Sequence, residues 1–487
     1  KDDVKSRRHF ADSVCRGRDY YTPYRALLPK GVDNLIVAGR HYSVESEAQK
    51  MSREIPPCMS QGEAAGVAVA KALQGNCALR DVDVTAIQKQ MRAQGADPGD
   101  VPSANALDGI RVIDFTQVML GPCATQMLAD FGADVIKVER PGAGDLSRGF
   151  YGEDSEEAVN NAVFASLNRN KRSVGIDTKS PEGKQMVYDL VRESDVVVDN
   201  FRAGVMARLG FGYDKLKEIN PAIICASGTG YGETGPYAHK GGQDVLAQAM
   251  SGVMEKRSDP SIPKSIYPTT LCDYTAGMHL VQGVLAALLS RAKTGQGQKV
   301  SVSLYDSMIA MQMQEAAQWS KHREVLNWAA MPLTGVFDTT DGAVVVVGAF
   351  KLNPLQDICN ALEIEDLSPQ YPTLATQRKN KPFLQDTFRE RFATNTTAYW
   401  LERLEAQDLL CAPVRSLSTA LEDPQTEING MLLDIDHPIL GEMQLVGSPV
   451  HLSDVPMGIR RMPPRLGEHT EEVIAEFGLR QKERAAG

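Results

Sequence analysis

Residues 110–139, IRVIDFTQVMLGPCATQMLADFGADVIKVE, decide the fold of this chain. The first six residues (110–115) are largely apolar and predict a strand, and residues 123–132 predict a helix that ends on Gly132. Residues 133–139 predict a second apolar strand. A strand, a helix and another strand in so short a stretch predict two parallel strands joined by a crossover helix.

The same alternation continues along the chain. Residues 173–177, 195–201 and 222–228 predict further strands, and residues 181–194 and 213–220 predict the helices between them. Strands this apolar are typical of a parallel sheet that is covered by helices on both faces. The sequence therefore predicts an α/β fold.

Changes of composition divide the chain into segments. Residues 94–106, QGADPGDVPSANA, are typical of a linker. From about residue 325 a hairpin with Asp341-Gly342 at its turn, followed by helical patterns, predicts a smaller α+β domain. The predicted organisation is a first unit at 1–93, the linker at 94–106, a large domain at 107–325, a small domain at 326–420 and a C-terminal return to the large domain at 421–487.

Composition and charge argue against several classes of protein. The chain has 487 residues, of which 43% are hydrophobic and 23% charged, and its net charge of −10 argues against a nucleic-acid surface. Its apolar runs are too short to span a membrane, and KDDVKSRRHF, which lacks an initiator Met, indicates a truncated N-terminus without a secretory signal. Eight cysteines and eight histidines are scattered, so we expect a cytoplasmic protein without disulfides or a metal site.

One carboxylate stands at the start of a long predicted helix. In residues 268–297, PTTLCDYTAGMHLVQGVLAALLSRAKTGQG, helical spacing predicts a buried stripe made of Met278, Val281, Val284, Leu285, Leu288 and Leu289. Asp273 at the mouth of this helix has two interpretations. It is either an N-cap for the first backbone amides, or a nucleophile that those amides and the helix dipole keep ionised. Spacing alone favours the cap.

The first segment resembles the C-terminal end of FAD-dependent oxidoreductases of the glutathione-reductase-like class. Within it, residues 32–40 predict a short buried strand and residues 58–73 predict a helix. The resemblance lies in PYRALLPKGVDNLIVAGR (23–40), Arg53, Pro57, Cys58 and GEAAG (62–66). It implies a fragment of that fold, with a helix N-terminus of the kind that faces a flavin. No strand followed by GxGxxG precedes it, so the dinucleotide-binding half is missing and bound FAD is not predicted.

A second resemblance begins at residue 107. LDGIRVIDFTQVMLGPCATQMLADFGADVIKVERPGAGD (107–145) resembles the opening of a family III CoA-transferase of the CaiB/BaiF type, the group that includes formyl-CoA transferase. VVVDNFRAGVMARLGFGYDKLKEINP (196–221), GGQDVLAQAMSG (241–252) and LCDYTAGMHLVQGVLAALL (271–289) follow in the family's order, and the match extends to about residue 478. The resemblance implies a Rossmann-like large domain, a smaller domain, an interlocked homodimer, acyl-CoA and carboxylic acid substrates, and no permanently bound cofactor.

The resemblance also implies a role for Asp273. In that family an Asp attacks acyl-CoA to give a mixed anhydride and then an aspartyl-CoA thioester, from which the incoming acid takes the CoA. The Asp of the motif falls on Asp273, so the resemblance favours the nucleophile over the cap. A covalent route of this kind replaces one difficult step with easier ones.

A set of CoA-binding residues follows from the same resemblance. It comprises Met119, Leu120, Arg140, Ile176, Asp177, Thr178, Lys179, Asn200, Phe201, Arg202, Arg208, Gly241, Gly242, Gln243 and Asp244. Arg140 and Arg208 are the expected phosphate contacts, whereas Lys171 and Arg172 are expected to be surface charges. Met119 stands where formyl-CoA transferase has Gln, which argues against formyl or oxalyl specificity.

Two other functions stay open at this point. α-Methylacyl-CoA racemase pairs its Asp with a His in an AGHD segment, but here the segment reads GGQD, and the amide of Gln243 does not exchange protons near neutral pH. The other alternative is a CoA-binding or flavoprotein-accessory module, in which the first 93 residues dock on a separate flavin domain.

Overall fold

The structure is a computed structural model that describes residues 24–32, 34–38, 55–94, 105–152, 155–259, 261–452, 455 and 457–479. The chain divides into two compact units, Lys1–Ser103 and Ala104–Gly487. The described residues of the first unit include the α-helices α1 (Ile55–Gly75) and α2 (Val84–Ala93).

The second unit alternates strands and helices. Its strands are β1 (Arg111–Asp114), β2 (Asp134–Glu139), β3 (Lys171–Gly175), β4 (Val196–Asp199), β5 (Ile224–Thr229), β6 (Lys299–Ser303), β7 (Thr334–Asp338), β8 (Ala343–Val347), β9 (Leu410–Pro413), β10 (Leu432–His437) and β11 (Gly441–Val446). Its helices are α3 (Leu120–Asp130), α4 (Glu156–Val159), α5 (Ala162–Asn168), α6 (Pro181–Arg192), α7 (Val205–Leu209), α8 (Tyr213–Ile219), α9 (Asp244–Met250), α10 (Leu271–Thr294), α11 (Leu304–Met311), α12 (Met313–His322), α13 (Pro354–Leu362), α14 (Leu374–Lys379), α15 (Lys381–Phe392), α16 (Thr397–Ala406), α17 (Leu417–Leu421), α18 (Pro424–Ile428) and α19 (Thr470–Phe477).

Six of these strands form one parallel sheet in the order β3-β2-β1-β4-β5-β6. In the central strand β1, Val112 lies opposite Val135 of β2 on one side and Val196 of β4 on the other. Both faces of the sheet are covered, because α3 and α10 pack in one hydrophobic core and α6 and α19 pack in another. The predicted α/β fold with a parallel sheet is confirmed.

The order of the strands turns round between β1 and β4. Strands β2 and β3 extend the sheet on one side of β1, whereas β4, β5 and β6 extend it on the other. The connections that leave the carboxyl ends of β1 and β4 therefore run to opposite sides of the sheet. Open α/β sheets bind their ligands at such a point.

Strand β3 begins at Lys171, two residues before the predicted strand, and this buries two cations. Lys171 and Arg172 have exposed fractions of 0% and 3%, so the prediction that they are surface charges is wrong. Lys171 Nζ lies 3.1 Å from Asp114 Oδ2, and Arg172 Nη2 lies 2.6 Å from Asp134 Oδ2. The covered sheet keeps these side chains from water, so each has a carboxylate partner.

Helix α10 buries a face of smaller residues than the sequence predicts. Met278 and Leu289 of the predicted stripe are 37% and 68% exposed. The buried positions of the helix are Cys272, Thr275, Ala276, Gly277, Leu280, Val281, Val284 and Ala287. Small side chains at several of these positions let α10 pack closely on α3, and this rotates part of the large-residue stripe away from the core.

A second, antiparallel sheet has the order β7-β8-β9. The predicted hairpin is confirmed, since Thr334 pairs with Val347 and Asp338 with Ala343. Helices α13, α15 and α16 pack against this sheet around the fully buried Trp400. Strands β10 and β11 form a separate antiparallel pair. The predicted domain boundaries stay a prediction.

The described part of the first unit contains the helix predicted at 58–73, which runs from Ile55 to Gly75. The strand predicted at 32–40 is wrong at residues 34–38, which form no strand, and Leu35 is 47% exposed. Residues 39, 40 and 53 lie outside the described residues. In neither unit does the described chain contain a helix with the length and apolar character needed to cross a membrane.

Candidate active site

Asp273 lies in the first turn of α10 and is partly buried. Burial, and then the negative charge of Asp244, raise the pKa of Asp273 from its ordinary 3.8 to about 7, while a hydrogen bond from the backbone amide of Leu120 acts in the opposite direction. The helix start therefore does not by itself hold the pKa of this carboxylate at its ordinary value. Burial and a like charge outweigh the helix terminus.

The side chain that caps the first turn of α10 is Asp244 of α9 and not Asp273. Asp244 Oδ2 accepts hydrogen bonds from the backbone nitrogens of Cys272 and Asp273. Asp244 is 5% exposed, and its other oxygen accepts a hydrogen bond from Gln248. The carboxylate of this predicted CoA-binding residue is thus occupied by donors of the protein.

The start of α3 faces Asp273 directly. A Cβ atom on Gly277 of α10 would lie 3.0 Å from the carbonyl oxygen of Leu120 and 3.4 Å from Cys123 Sγ. A Cβ atom on Gly228, near the end of β5, would collide with the Leu120 side chain. Glycine at these two positions lets Leu120 lie between β5 and α10, where its amide reaches the Asp273 carboxylate.

The turn that precedes Leu120 has a strained backbone. Val118 has a φ of 69°, in the left-handed region that β-branched residues rarely adopt. Its backbone nitrogen donates a hydrogen bond to Asp145 Oδ1 at 3.0 Å. The neighbouring Gln117 is hydrogen-bonded to Asn200, which follows β4. Such strain is concentrated at functional sites and persists where the surroundings enforce it.

Four buried charges lie beneath this turn, namely Asp114, Lys137, Asp145 and Lys171. Lys137 Nζ lies 2.8 Å from Asp145 Oδ2 and donates to the Thr116 carbonyl at 2.7 Å. Burial lowers the pKa of Lys171 to about 8, although Asp114 acts in the opposite direction. The sequence did not lead us to predict this network. Its signal was the presence of Asp114 and Lys137 in the buried strands RVID and DVIKVE.

The GGQD loop lies against the ends of β4 and β5. A Cβ atom on Gly241 would be 2.6 Å from Arg202 Nη2, and Gly242 packs against Gly230 so closely that neither has room for a Cβ atom. Gln243 is exposed. Asp244, the last residue of this loop, binds the first turn of α10. The structure therefore places the loop and Arg202 close to Asp273.

The other predicted CoA-binding residues lie along the same edge of the sheet. Arg140 follows β2, residues 176–179 follow β3, and Arg208 lies in α7 after β4. Arg140 and Arg208 are exposed, whereas the side chains of Ile176 and Phe201 pack in the core. The described contacts do not join these positions to Asp273. Among the described residues, no group of His, Cys, Asp and Glu side chains could hold a metal ion.

Two family models match this chain. Residues 107–470 match the family described as CoA-transferase family III, and residues 2–91 match the one described as FAD dependent oxidoreductase. In the second match, the described residues form helices and turns without a parallel sheet. They therefore do not supply the strand, glycine turn and helix that bind a dinucleotide.

Curated relatives align with most of the chain. It is 36% identical to an acyl-CoA transferase of Fusarium pseudograminearum (77% of this chain, 86% of the relative) and 37% identical to formyl-CoA:oxalate CoA-transferase of Streptomyces coelicolor (78% and 97%). It is 32% identical to succinyl-CoA:glutarate CoA-transferase of Homo sapiens (81% and 90%).

Solved structures agree with these matches. The Rv3272 protein of Mycobacterium tuberculosis superposes with a TM-score of 0.68 at 30% identity, over 76% of this chain and 99% of that one. A CAIB/BAIF family protein from Brucella suis gives a TM-score of 0.67 at 29% identity, over 77% and 99%. Sequence, fold and family model agree, and the chain belongs to CoA-transferase family III.

Proposed function

We propose that the protein moves coenzyme A from an acyl-CoA donor to a carboxylic acid acceptor, with Asp273 as the nucleophile. The observation that carries the proposal is the placement of one partly buried carboxylate in the first turn of α10, with the Leu120 amide directed at it. This carboxylate lies beside the loops that leave the carboxyl ends of the sheet, where α/β folds bind ligands.

The first half of the reaction loads CoA onto the enzyme. Ionised Asp273 attacks the thioester carbonyl carbon of the donor, the C–S bond breaks, and the acyl group stays on Asp273 as a mixed anhydride. The released CoA thiolate then attacks the carbonyl carbon of Asp273. The donor acid leaves with the bridging oxygen, and an aspartyl-CoA thioester remains.

The second half runs the same steps with the acceptor acid. Its carboxylate attacks the aspartyl-CoA thioester, the thiolate leaves again, and a second anhydride forms. The thiolate then attacks the acyl carbon that came from the acceptor. Acyl-CoA is released, the bridging oxygen stays on Asp273, and the carboxylate is regenerated without consumption of water.

Leu120 contributes a fixed donor to these steps. Its amide lowers the pKa of the Asp273 carboxylate, and the same amide can bind the oxyanion that develops on Asp273 when thiolate or acceptor attacks it. Because the strained turn at Val118 fixes this amide in advance, little reorganisation is needed during the reaction.

The CoA molecule would extend along the carboxyl edge of the sheet. Arg140 and Arg208 are exposed cations suited to its phosphates. The remaining predicted contacts follow the ends of β1, β3, β4 and β5. We further propose a cytoplasmic homodimer that uses CoA thioesters as substrates and holds no permanent cofactor.

A panel of donors and acceptors tests this function. The named relatives direct the first choices to succinyl-CoA and formyl-CoA as donors and to glutarate and oxalate as acceptors. Mass spectrometry reads the new acyl-CoA and the enzyme-bound CoA. We expect transfer with at least one pair and its loss, by roughly a thousandfold or more, in Asp273→Asn.

Asp306→Asn is the matched control, because Asp306 occupies the same position in the first turn of α11 and is exposed. It should retain the activity of the unsubstituted protein. A parallel incubation in deuterated water distinguishes CoA transfer from proton exchange at the α-carbon. Deuterium at that carbon, without transfer to a second acid, would contradict the proposed function.

A further inference from the structure

The acceptor that caps α10 belongs to another helix. Thr270, which precedes α10, makes no side-chain hydrogen bond to the first turn. Asp244 Oδ2 instead lies 2.6 Å from the backbone nitrogen of Cys272 and 3.0 Å from that of Asp273. The first residue of α9 therefore determines where the first turn of α10, and with it Asp273, is placed.

Gln248 holds Asp244 in this position. It is fully buried one turn further along α9, and its Nε2 lies 2.6 Å from Asp244 Oδ1. The same amide group contacts the chain that enters α10, because Nε2 lies 3.3 Å from the Tyr267 carbonyl oxygen and Oε1 accepts the Tyr267 amide at 3.1 Å. One buried side chain thus fixes both the cap and the approach to the helix.

We propose that Asp244 is a positioning residue for the nucleophile, which it orients through the backbone of α10 while keeping a negative charge beside it. This inference rests on the proposed function, because it assigns Asp244 to the covalent chemistry of Asp273. In this proposal the buried Asp244 carboxylate places Asp273 and does not contact CoA directly.

Asp244 is the charged group among those that change the pKa of Asp273. Cys123 faces it from α3 and Cys272 from its own helix, and burial raises the pKa of these thiols to about 11 and about 12, so both stay neutral. The attack on a thioester moves the negative charge from Asp273 to the departing sulfur. Repulsion by Asp244 therefore destabilises the free carboxylate and is absent from the neutral anhydride and thioester.

Substitution of Asp244 by Asn tests the inference. The Asn oxygen can still accept the two amides of α10, but the negative charge is gone. We expect the acid limb of the kcat/KM profile to move to lower pH by about one unit, and the fraction of enzyme that carries CoA at steady state to fall. An altered fold alone would not move the profile in this direction.

Three further variants separate charge from structure. Asp244→Glu keeps the charge and should lower the rate without moving the profile. Asp244→Ser removes the charge and places no second amide group against the amide of Gln248. It should move the profile to lower pH, as Asp244→Asn does. Asp423→Asn makes the same change at the cap of α18, where Asp423 accepts the Gln425 amide at 2.8 Å, and should leave rate and profile unchanged.

An unmoved profile in Asp244→Asn, with an adduct still formed on Asp273, would overturn the positioning role and leave the proposed function intact. Failure of both neutral variants to fold would assign Asp244 to stability alone and would equally overturn the inference. No adduct on Asp273 in the unsubstituted protein would instead contradict the proposed function itself.

Discussion

The side chain of Asn200 and the backbone of Gln117 exchange two hydrogen bonds across the point where the strand order reverses. Gln117 N donates to Asn200 Oδ1 at 2.9 Å, and Asn200 Nδ2 donates to the Gln117 carbonyl at 2.7 Å. The connections after β1 and β4 run to opposite sides of this point, so this pair joins them. It also supports the turn that carries the Leu120 amide towards Asp273.

Removal of this link should reduce activity by more than the accompanying loss of stability accounts for. In Asn200→Ala the turn loses both hydrogen bonds, and we expect the free energy of unfolding to fall by about 2 kcal/mol. Because the Leu120 amide is then less well fixed, kcat should fall roughly tenfold to a hundredfold. Steady-state kinetics and urea unfolding measure the two effects.

Asn220→Ala is the matched control for that substitution. Asn220 Nδ2 donates to the carbonyl oxygens of Val191 and Ser194 at 3.0 and 2.9 Å, before β5 begins, so it makes similar bonds away from the carboxyl edge. It should show a comparable loss of stability with kcat unchanged. Equal loss of kcat in both variants would show that Asn200 acts through overall stability.

The activity should depend on one ionisation near neutral pH. Burial and Asp244 raise the pKa of Asp273 to about 7, and the attacking form is the ionised one. We therefore expect kcat/KM to fall below about pH 7, by roughly tenfold for each further pH unit. The 3′-phosphate of CoA titrates near pH 6, so a donor made with dephospho-CoA serves as the control. A profile that stays flat down to pH 5 would contradict this account.

The nucleophile should destabilise the folded protein above neutral pH. The pKa of Asp273 is 3.8 ordinarily and about 7 in the fold, so the folded state binds more protons between these values and stability falls as the pH rises through them. Asp273→Asn removes this loss. At pH 8 it should be more stable than the unsubstituted protein by on the order of 2 kcal/mol, a value reduced for the partial exposure of Asp273.

Urea unfolding at pH 8 and pH 4 measures this difference. The advantage of Asp273→Asn should be full above pH 7 and small near pH 4, where Asp273 is protonated in the folded chain and a little under half protonated in the unfolded one. Equal stability of the two proteins at pH 8 would show that the carboxylate carries no such penalty.

Close packing at Gly277 should be necessary for activity. In Gly277→Ala the added methyl group lies 3.0 Å from the Leu120 carbonyl oxygen, so α3 and α10 must separate by a few tenths of an ångström. We expect kcat to fall roughly tenfold through the weakened contact between Leu120 and Asp273. Gly66→Ala in α1 has open space at its Cβ and is the control, with activity unchanged. An unchanged kcat in Gly277→Ala would exclude this role.

Most of the fold could be predicted because its signals are local. Apolar strands followed by helices predicted the parallel sheet, and the Asp341-Gly342 turn predicted the antiparallel hairpin. The burial of Lys171 could not be predicted in this way, because its partner Asp114 is distant in sequence and the two meet only through the order of the strands.

The sequence likewise predicted only part of the candidate site. Asp273 stands out because it follows an irregular segment and begins a long helix. The cap that Asp244 supplies depends on how α9 packs against α10, and no spacing within one helix reveals it. The exposed Leu289 has a similar cause, since small residues of α10 pack against α3 and part of the large-residue stripe is turned away from the core.

The passage of oxygen through Asp273 is the most direct test of the central claim. In the proposed sequence of steps, the acceptor acid leaves one of its carboxylate oxygens on Asp273, and a donor acid released in a later turnover carries it away. Turnover with an ¹⁸O-labelled acceptor in ordinary water, followed by mass spectrometry of the peptide that contains Asp273, should reveal the heavy oxygen in that peptide. Continued transfer of CoA with no label in the peptide would contradict a covalent role for Asp273.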